Sequence, residues 1–350
     1  MTHRLAGLIL ALALALALAG CATPHIQSPM TPPVGFAGPR IEDAVRAGAP
    51  GAFIVHDGAR LPFLHWAPAS GEPWAVIVAL HGMNDHDASF RLAGPWWAEH
   101  GIETWSFDQR GFGQAPEKGV WAGEALMSED LRTITALVRA RHPKAVLAVV
   151  GESMGGSVTA AAFGSDHPPD ADRVVLLSPG VWGWSSQNIV NRTSLWIASR
   201  TFGDVTVEPP DFIARHILAS DNLLELIRNG RDPDSLLSTR FDTISGLVDL
   251  MESASNRIGL IKAPVILMYG AHDQVVEPGP MRRALRRAGS PPNLRTAFYD
   301  DGWHLLNRNL AAERVYRDVE AYLRDASAPL PSGVPPVLPE LEKPPLTKGR

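Results

Sequence analysis

Apolar runs recur along the chain, and the purest of them are so continuous that a strand covered on both faces is the element that accommodates them. Ala75 to Leu80 reads AVIVAL, and similar runs follow at Ile102–Phe107, Ala145–Val150, Val174–Leu177, Val265–Tyr269 and, less purely, Leu294–Tyr299. Half-exposed strands alternate polar with apolar; strands of a parallel sheet lie between two helical layers and do not. Helical stretches separate the runs. Leu131, Ile134, Leu137 and Val138 recur at helical spacing behind Glu129 and Asp130, and Val315, Val319, Tyr322 and Leu323 share one face near the end. Ahead of them, Phe53-Ile54-Val55 and Leu61-Pro62-Phe63-Leu64 flank Asp57-Gly58, a hairpin signal. The pattern predicts one α/β domain over residues 49–326, with an antiparallel start and a mostly parallel sheet flanked by helices. One segment breaks the rhythm. Between Gly180 and Asn256 no buried strand is legible, only amphipathic stretches carrying Trp182, Trp184, Trp196, Phe202, Phe212 and Ile213, then Leu223-Leu224 and Leu226-Ile227. An insertion of that size, about 180–256, reads as a helical cap.

The ends of the chain follow other rules. Leu5 to Ala19 is an uncharged Leu/Ala run behind His3 and Arg4, shorter than the roughly 20 residues a membrane-spanning helix needs and suited to a secretory signal peptide over residues 1–20. It ends Leu18-Ala19-Gly20-Cys21, which resembles the lipobox of bacterial lipoproteins. The resemblance implies cleavage before Cys21, lipidation of its thiol, and an envelope location on a lipid anchor, on the periplasmic side of the outer membrane given Ala22. Cys21 is the one cysteine of the 350 residues, so intramolecular disulfides and Cys-rich zinc patterns are excluded, as is a cysteine nucleophile inside the domain. Residues 21–48 hold Pro24, Pro29, Pro32, Pro33 and Pro39 and read as an extended tether; residues 327–350, with seven prolines, read as a disordered tail. The 32 Lys+Arg against 37 Asp+Glu, a net charge of −5, argue against a nucleic-acid partner, which needs a basic face.

The chemistry concentrates at the ends of the predicted strands. Gly151-Glu152-Ser153-Met154-Gly155-Gly156 follows the run ending at Val150 and precedes a small-residue helical stretch, Ser157–Phe163. A G-x-S-x-G at a sharp strand-to-helix turn lifts a serine hydroxyl above the sheet edge. A hydroxyl becomes a nucleophile only when a base takes its proton, so a histidine and an orienting carboxylate must follow, in the order Ser, Asp, His. Val265–Tyr269 leads into Gly270-Ala271-His272-Asp273, and the next strand into Asp300-Asp301-Gly302-Trp303-His304. Asp273 is the expected acid and His304 the expected base. His142, His167, His216 and His272 follow no suitable strand, and Asp300 and Asp301 lie too close to His304 in sequence to hold its far nitrogen. Oxyanion donors are expected from the backbone N–H groups of Met83, in the loop after AVIVAL, and of Met154. Asp85-His86-Asp87 lacks further ligands at a recognised spacing and is read as structural, so neither a metal nor an organic cofactor is expected.

Together the motifs His81-Gly82-Met83-Asn84-Asp85-His86, Asp108-Gln109-Arg110-Gly111-Phe112-Gly113, Gly151 to Gly156, Gly270 to Asp273 and His304 make residues 50 to 325 similar to serine hydrolases of the α/β-hydrolase superfamily, with a serine aminopeptidase S33-type domain. Monoacylglycerol lipases and lysophospholipases are the most similar branch. The resemblance implies an α/β-hydrolase fold and a carboxylic ester hydrolase acting on a lipid ester through an acyl-enzyme. A peptidase or thioesterase of the same fold, and a non-catalytic envelope lipoprotein, are the alternatives. Two departures stand out. Asn84 occupies the place of a loop glycine, and Glu152 that of the elbow histidine, where a carboxylate is expected beside the nucleophile.

Overall fold

The computed structural model describes residues 23–43, 51–208 and 217–341. Its sheet opens with an antiparallel meander of β1 (Arg40–Glu42), β2 (Gly51–Ile54) and β3 (Arg60–Trp66). Then come β4 (Ala75–Leu80), β5 (Ile102–Phe107), β6 (Val146–Glu152) and β7 (Arg173–Leu177), a separate two-residue pair β8 (Thr206–Val207) and β9 (Thr239–Arg240), and finally β10 (Val265–Gly270) and β11 (Leu294–Tyr299). Nine strands form one sheet in the order β1-β2-β3-β5-β4-β6-β7-β10-β11, parallel from β5 onward. Among the described residues the helices are α1 (Ala93–Glu99), α2 (Glu124–Arg141), α3 (Met154–Phe163), α4 (Ile189–Thr201), α5 (Leu223–Asn229), α6 (Phe241–Arg257), α7 (Pro278–Ala288) and α8 (Ala312–Arg324). Among the described residues no helix is long and apolar enough to cross a membrane.

The apolar runs are strands because both of their faces are covered. Val76, Val78 and Leu80 of β4 join Leu147 and Val149 of β6 in one buried cluster with α2, α3, α6 and α7, while Ala75, Ile77 and Ala79 join Ala148 and Val150 in another with α1 and α8. The register aligns the carboxyl ends: Leu80 lies beside Gly151, Glu152 beside Leu177, and Gly270 beside Tyr299. Loops leaving β4, β6, β10 and β11 therefore emerge at one sheet edge, where ligands bind in open α/β sheets.

The structure corrects three boundaries. The tether expected over 21–48 is built into the fold in its described part: β1 pairs with β2, Met30 N–H donates to Asp57 Oδ2 at 2.7 Å, and Gln27 is buried, its backbone N–H donating to Trp121 O at 2.9 Å and its Nε2 to Val120 O at 2.8 Å. Residues 327–341, expected to be disordered, lie along edge strand β11. Phe298 N–H donates to Pro335 O at 2.8 Å, and Val337, Leu338 and Leu341 pack on the core. Prolines cannot donate to a ladder, but their carbonyls accept, which confines them to sheet edges of this kind. The cap is also shorter than 180–256, because α6 presents Val248, Leu250 and Ala254 to the core. It belongs to the helical layer on the sheet; the overlying part holds α4, α5 and the β8–β9 pair. The signal peptide and Cys21 lie outside the described residues. Docking of the C-terminal segment predicts that Leu338→Ala lowers stability by about 2 kcal/mol in urea denaturation; an unchanged midpoint would mean that this segment does not belong to the cooperative unit.

Candidate active site

Ser153 sits between β6 and α3 with φ 51° and ψ −114°, a conformation that non-glycine residues rarely hold. The flanking glycines explain how the turn closes. A Cβ on Gly151 would lie 2.4 Å from Gly155 O, and one on Gly155 would lie 2.3 Å from Leu80 O. Strand, elbow and helix thus touch through backbone alone. Ser153 N–H donates to Leu177 O at 3.0 Å, and Gly180 N–H to Ser153 O at 3.0 Å, which fixes the elbow to β7 and the loop after it.

The loops after β10 and β11 meet by the same device, since a Cβ on Gly270 would stand 2.4 Å from the Gly302 carbonyl carbon. Asp273 and His304 emerge there, both buried. Asp273 Oδ1 accepts from Val275 and Val276 N–H at 2.9 and 2.8 Å, leaving Oδ2 2.9 Å from His304 Nδ1. His304 Nε2 lies 2.9 Å from Ser153 Oγ. With Nδ1–H donated to the carboxylate, Nε2 carries the lone pair and faces the serine hydroxyl, as proton removal requires. The structure therefore brings Ser153, His304 and Asp273 into one hydrogen-bonded line. The rivals stand elsewhere: His142 faces Glu103 at 3.2 Å, His167 is exposed, His272 is exposed and stacks on Trp303, Asp300 and Asp301 pair with Arg314, and His216 lies outside the described residues.

Met154 opens α3, so its N–H has no acceptor within the helix. Met83 lies in the loop after β4, which presses on the elbow closely enough that a Cβ on Gly82 would lie 3.3 Å from Ser153 Cβ. Asn84 takes φ 63°, the left-handed region that asparagine tolerates, so it supplies the bend that a glycine would. The cap holds this loop, with Leu236 N–H donating to Asn84 O at 2.9 Å and Asn84 Nδ2 to Thr239 Oγ1 at 2.7 Å.

Behind the site, the Asp108–Gly113 loop braces the loop after β4. Gln109 N–H donates to His81 Nε2 at 3.0 Å and Gln109 Nε2 to His81 O at 2.8 Å, while Asp108 accepts from Asp87 and Gln114 N–H at 2.8 and 2.7 Å. His86, Asp87 and Asp108 offer ligand-type atoms within 4.8 Å of one another. Those atoms serve internal bonds: besides Asp108's two, His86 Nδ1 lies 3.2 Å from Asp87 Oδ1 and Nε2 3.3 Å from Asp232 Oδ2. His81 is fully buried and donates from Nδ1 to Gly82 O at 2.8 Å. Burial pushes its pKa down to about 4. The unfolded chain takes up this proton near pH 6.5 and the folded chain near 4, so stability falls as pH drops through that window, by roughly 3 kcal/mol. Buried Asp130, pushed up to about 6, works in the opposite sense. Comparing wild type with His81→Asn by urea denaturation from pH 4 to 7 isolates the histidine. The variant is expected to lose that part of the slope; identical slopes would refute the assignment.

Two features escaped the sequence. Glu152 is expected beside the nucleophile, yet its side chain is fully buried and turned to Arg308, with Oε1 2.8 Å from Nη2. Arg308 also reaches Asp85 Oδ2 at 2.7 Å. Burial raises the pKa of both carboxyls; at Asp85 the Arg308 charge, together with the charge of His81 and the hydrogen bond from His86 N–H, more than reverses the rise, and at Glu152 the Arg308 charge does not.

The sheet topology and the serine at a strand-to-helix elbow define the class, an α/β-hydrolase. Within it, the chain belongs to the serine aminopeptidase S33 family, whose model matches residues 71–310. It is 22% identical over 277 residues to a monoacylglycerol lipase of Mycolicibacterium smegmatis, covering 78% of this chain and 95% of that one. Among solved structures, a soluble variant of the monoglyceride lipase of Saccharomyces cerevisiae in complex with a substrate analogue superposes with a TM-score of 0.64 at 19% identity, covering 85% of this chain and 98% of the other. The monoacylglycerol lipase of Paleococcus ferrophilus gives 0.59 at 18%, covering 75% and 98%.

Proposed function

We propose that the chain is a serine carboxylesterase acting on monoacyl lipids, monoacylglycerols or lysophospholipids. His304, oriented by Asp273, takes the Ser153 proton as Oγ attacks the ester carbonyl. The tetrahedral oxyanion is met by the N–H groups of Met83 and Met154, His304 protonates the leaving alcohol, and water releases the acyl group by the same path. Chain, ester and water account for every proton in this cycle. The observation that carries the ester reading is the cavity of about 310 Å³ over Ser153 and His304, walled by Leu226, Leu236, Leu237, Val275 and Leu305. Among its described lining residues Asp85 is the one carboxylate, and it is paired, with Oδ2 2.7 Å from Arg308 Nη1. An aminopeptidase must meet a substrate ammonium with an unpaired anion, whereas an acyl chain asks for apolar walls. The activities named for the relatives support the same class.

Cys21 is proposed as a lipid anchor at the cell envelope, on the periplasmic side of the outer membrane; the Leu18-Ala19-Gly20-Cys21 sequence supports it. The substrate reading is tested on a panel of monoacylglycerols of graded chain length, lysophospholipids, acyl thioesters and aminoacyl anilides. The highest kcat/KM is expected on monoacyl esters, and a preference for aminoacyl anilides or thioesters would overturn it. Palmitate incorporation is expected in the full chain and not in Cys21→Ala; equal incorporation in both would sink the anchor.

A further inference from the structure

The loop after β4, the elbow and the loop after β11 each supply one part of the site, and each also sends one charged side chain to a common point beneath it. Asp85 lies two residues beyond Met83, Glu152 directly precedes Ser153, and Arg308 lies four residues beyond His304. All three are buried, with Arg308 and Glu152 0% exposed. The Arg308 guanidinium spans the two carboxylates at 2.7 and 2.8 Å. The geometry points to Arg308 as a positioning residue: by bridging Asp85 and Glu152 from the loop that carries His304, it sets the spacing of oxyanion donor, nucleophile and base. The inference rests on the esterase reading above and deepens it.

The physical reasons are specific. Buried charges persist only when paired, so the three loops cannot drift apart without exposing an unpaired ion to the interior. A planar guanidinium presents a rigid fork to two carboxylates, whereas an ammonium is a point charge that satisfies one well. Reaction geometry is demanding: a displacement near 1 Å costs on the order of 10²-fold in rate. The loop holding Met83 includes the left-handed Asn84 and no sheet pairing of its own. Its fixed points are therefore the cap on one side and the Asp108–Gly113 brace and Arg308 on the other.

The test uses the full chain with Arg308→Lys, Glu152→Gln, the double variant and Asp85→Asn, each checked by thermal melting. Turnover of a monoacylglycerol is measured alongside binding of an alkylboronic acid, a tetrahedral mimic, and of a non-hydrolysable ether analogue. Arg308→Lys is expected to lower kcat by about 10- to 100-fold with KM and ether affinity held within about threefold. Boronic-acid affinity should fall in step with kcat, and the double variant should be no worse than Arg308→Lys alone. Wild-type kcat in a folded Arg308→Lys, or a loss carried by KM, overturns the inference. If that variant does not fold, Asp85→Asn decides: reduced kcat at constant KM supports the bridge, and unchanged kcat overturns it. Fluorophosphonate labelling keeps the two levels apart. An unlabelled wild type overturns the esterase reading, whereas a labelled wild type with unaffected variants overturns the bridge alone.

Discussion

Replacing Ser153 with alanine is expected to lower kcat on a monoacyl ester by at least about 10⁴-fold and to abolish fluorophosphonate labelling, with the melting temperature unchanged or raised. The first expectation follows from geometry. Ser153 Oγ is the hydroxyl 2.9 Å from His304 Nε2, so its removal leaves the base nothing to activate, and triad members act as a unit whose loss is that large. The second follows from the backbone: φ 51° is held by neighbours, not by the hydroxyl, and Ser153 Oγ caps no helical N–H. Asp273→Asn should cost about 10⁴-fold as well. The amide can no longer accept from His304 Nδ1 while also serving Val275 and Val276, so the imidazole loses its tautomer. Residual turnover above about 1% in Ser153→Ala would show that another group is the nucleophile.

The largest stability effect is expected away from the nucleophile, at Arg110. Its guanidinium is buried, with Nε 2.7 Å from Asp130 Oδ2 and Nη2 2.9 Å from Asp130 Oδ1 and 2.7 Å from Asp57 Oδ1. This one side chain joins the Asp108–Gly113 loop, the turn between β2 and β3, and α2. Arg110→Met would take from two interior carboxylates the guanidinium they share, leaving only His56 Nδ1, 3.7 Å from Asp130 Oδ1, beside them, which costs about 3–5 kcal/mol, or about 10 °C in melting temperature for a domain of this size. Because burial already pushes Asp130 up to about 6, the variant is expected to regain stability as pH falls and that carboxyl takes a proton. Adding Asp57→Asn and Asp130→Asn to Arg110→Met should recover much of the loss. A loss below about 1 kcal/mol in urea denaturation at pH 7 would mean that the network relaxes into solvent.

What was legible in the sequence, and what was not, follows from how each residue is stabilised. Strands β4, β6, β7 and β10 could be read because burial on both faces leaves a nearly unbroken apolar run, whereas β5 and β11 carry polar residues and are read from their place in the rhythm; the order of the runs fixed which loops share an edge. Ser153, Asp273 and His304 could be proposed together because each follows a predicted strand. Arg40-Ile41-Glu42 could not be read as a strand. An edge strand of three residues carries charges, and its pairing depends on β2 rather than on its own composition. The packing of 327–341 was hidden because proline contributes to a sheet edge through its carbonyl, which leaves no periodic signature. The end of the cap was misplaced because α6 has the amphipathic pattern of a cap helix and differs only in what covers it. Arg308 was missed although a signal existed. A glutamate inside a tight elbow has no route to water, so its presence asked for a buried cation or a protonated carboxyl.

The docking of Gln27 changes the mechanical meaning of the amino-terminal segment. With Cys21 as the anchor proposed above, six peptide units separate the lipid from the first residue built into the fold. Fully extended they reach about 20 Å, against about 90 Å for a free stretch from 21 to 48. On so short a leash an enzyme anchored at Cys21 would not sweep the space around its mooring. Moored in that way it would work the patch of bilayer that holds it, so its effective substrate would be the lipid composition of one leaflet rather than the concentration of a solute.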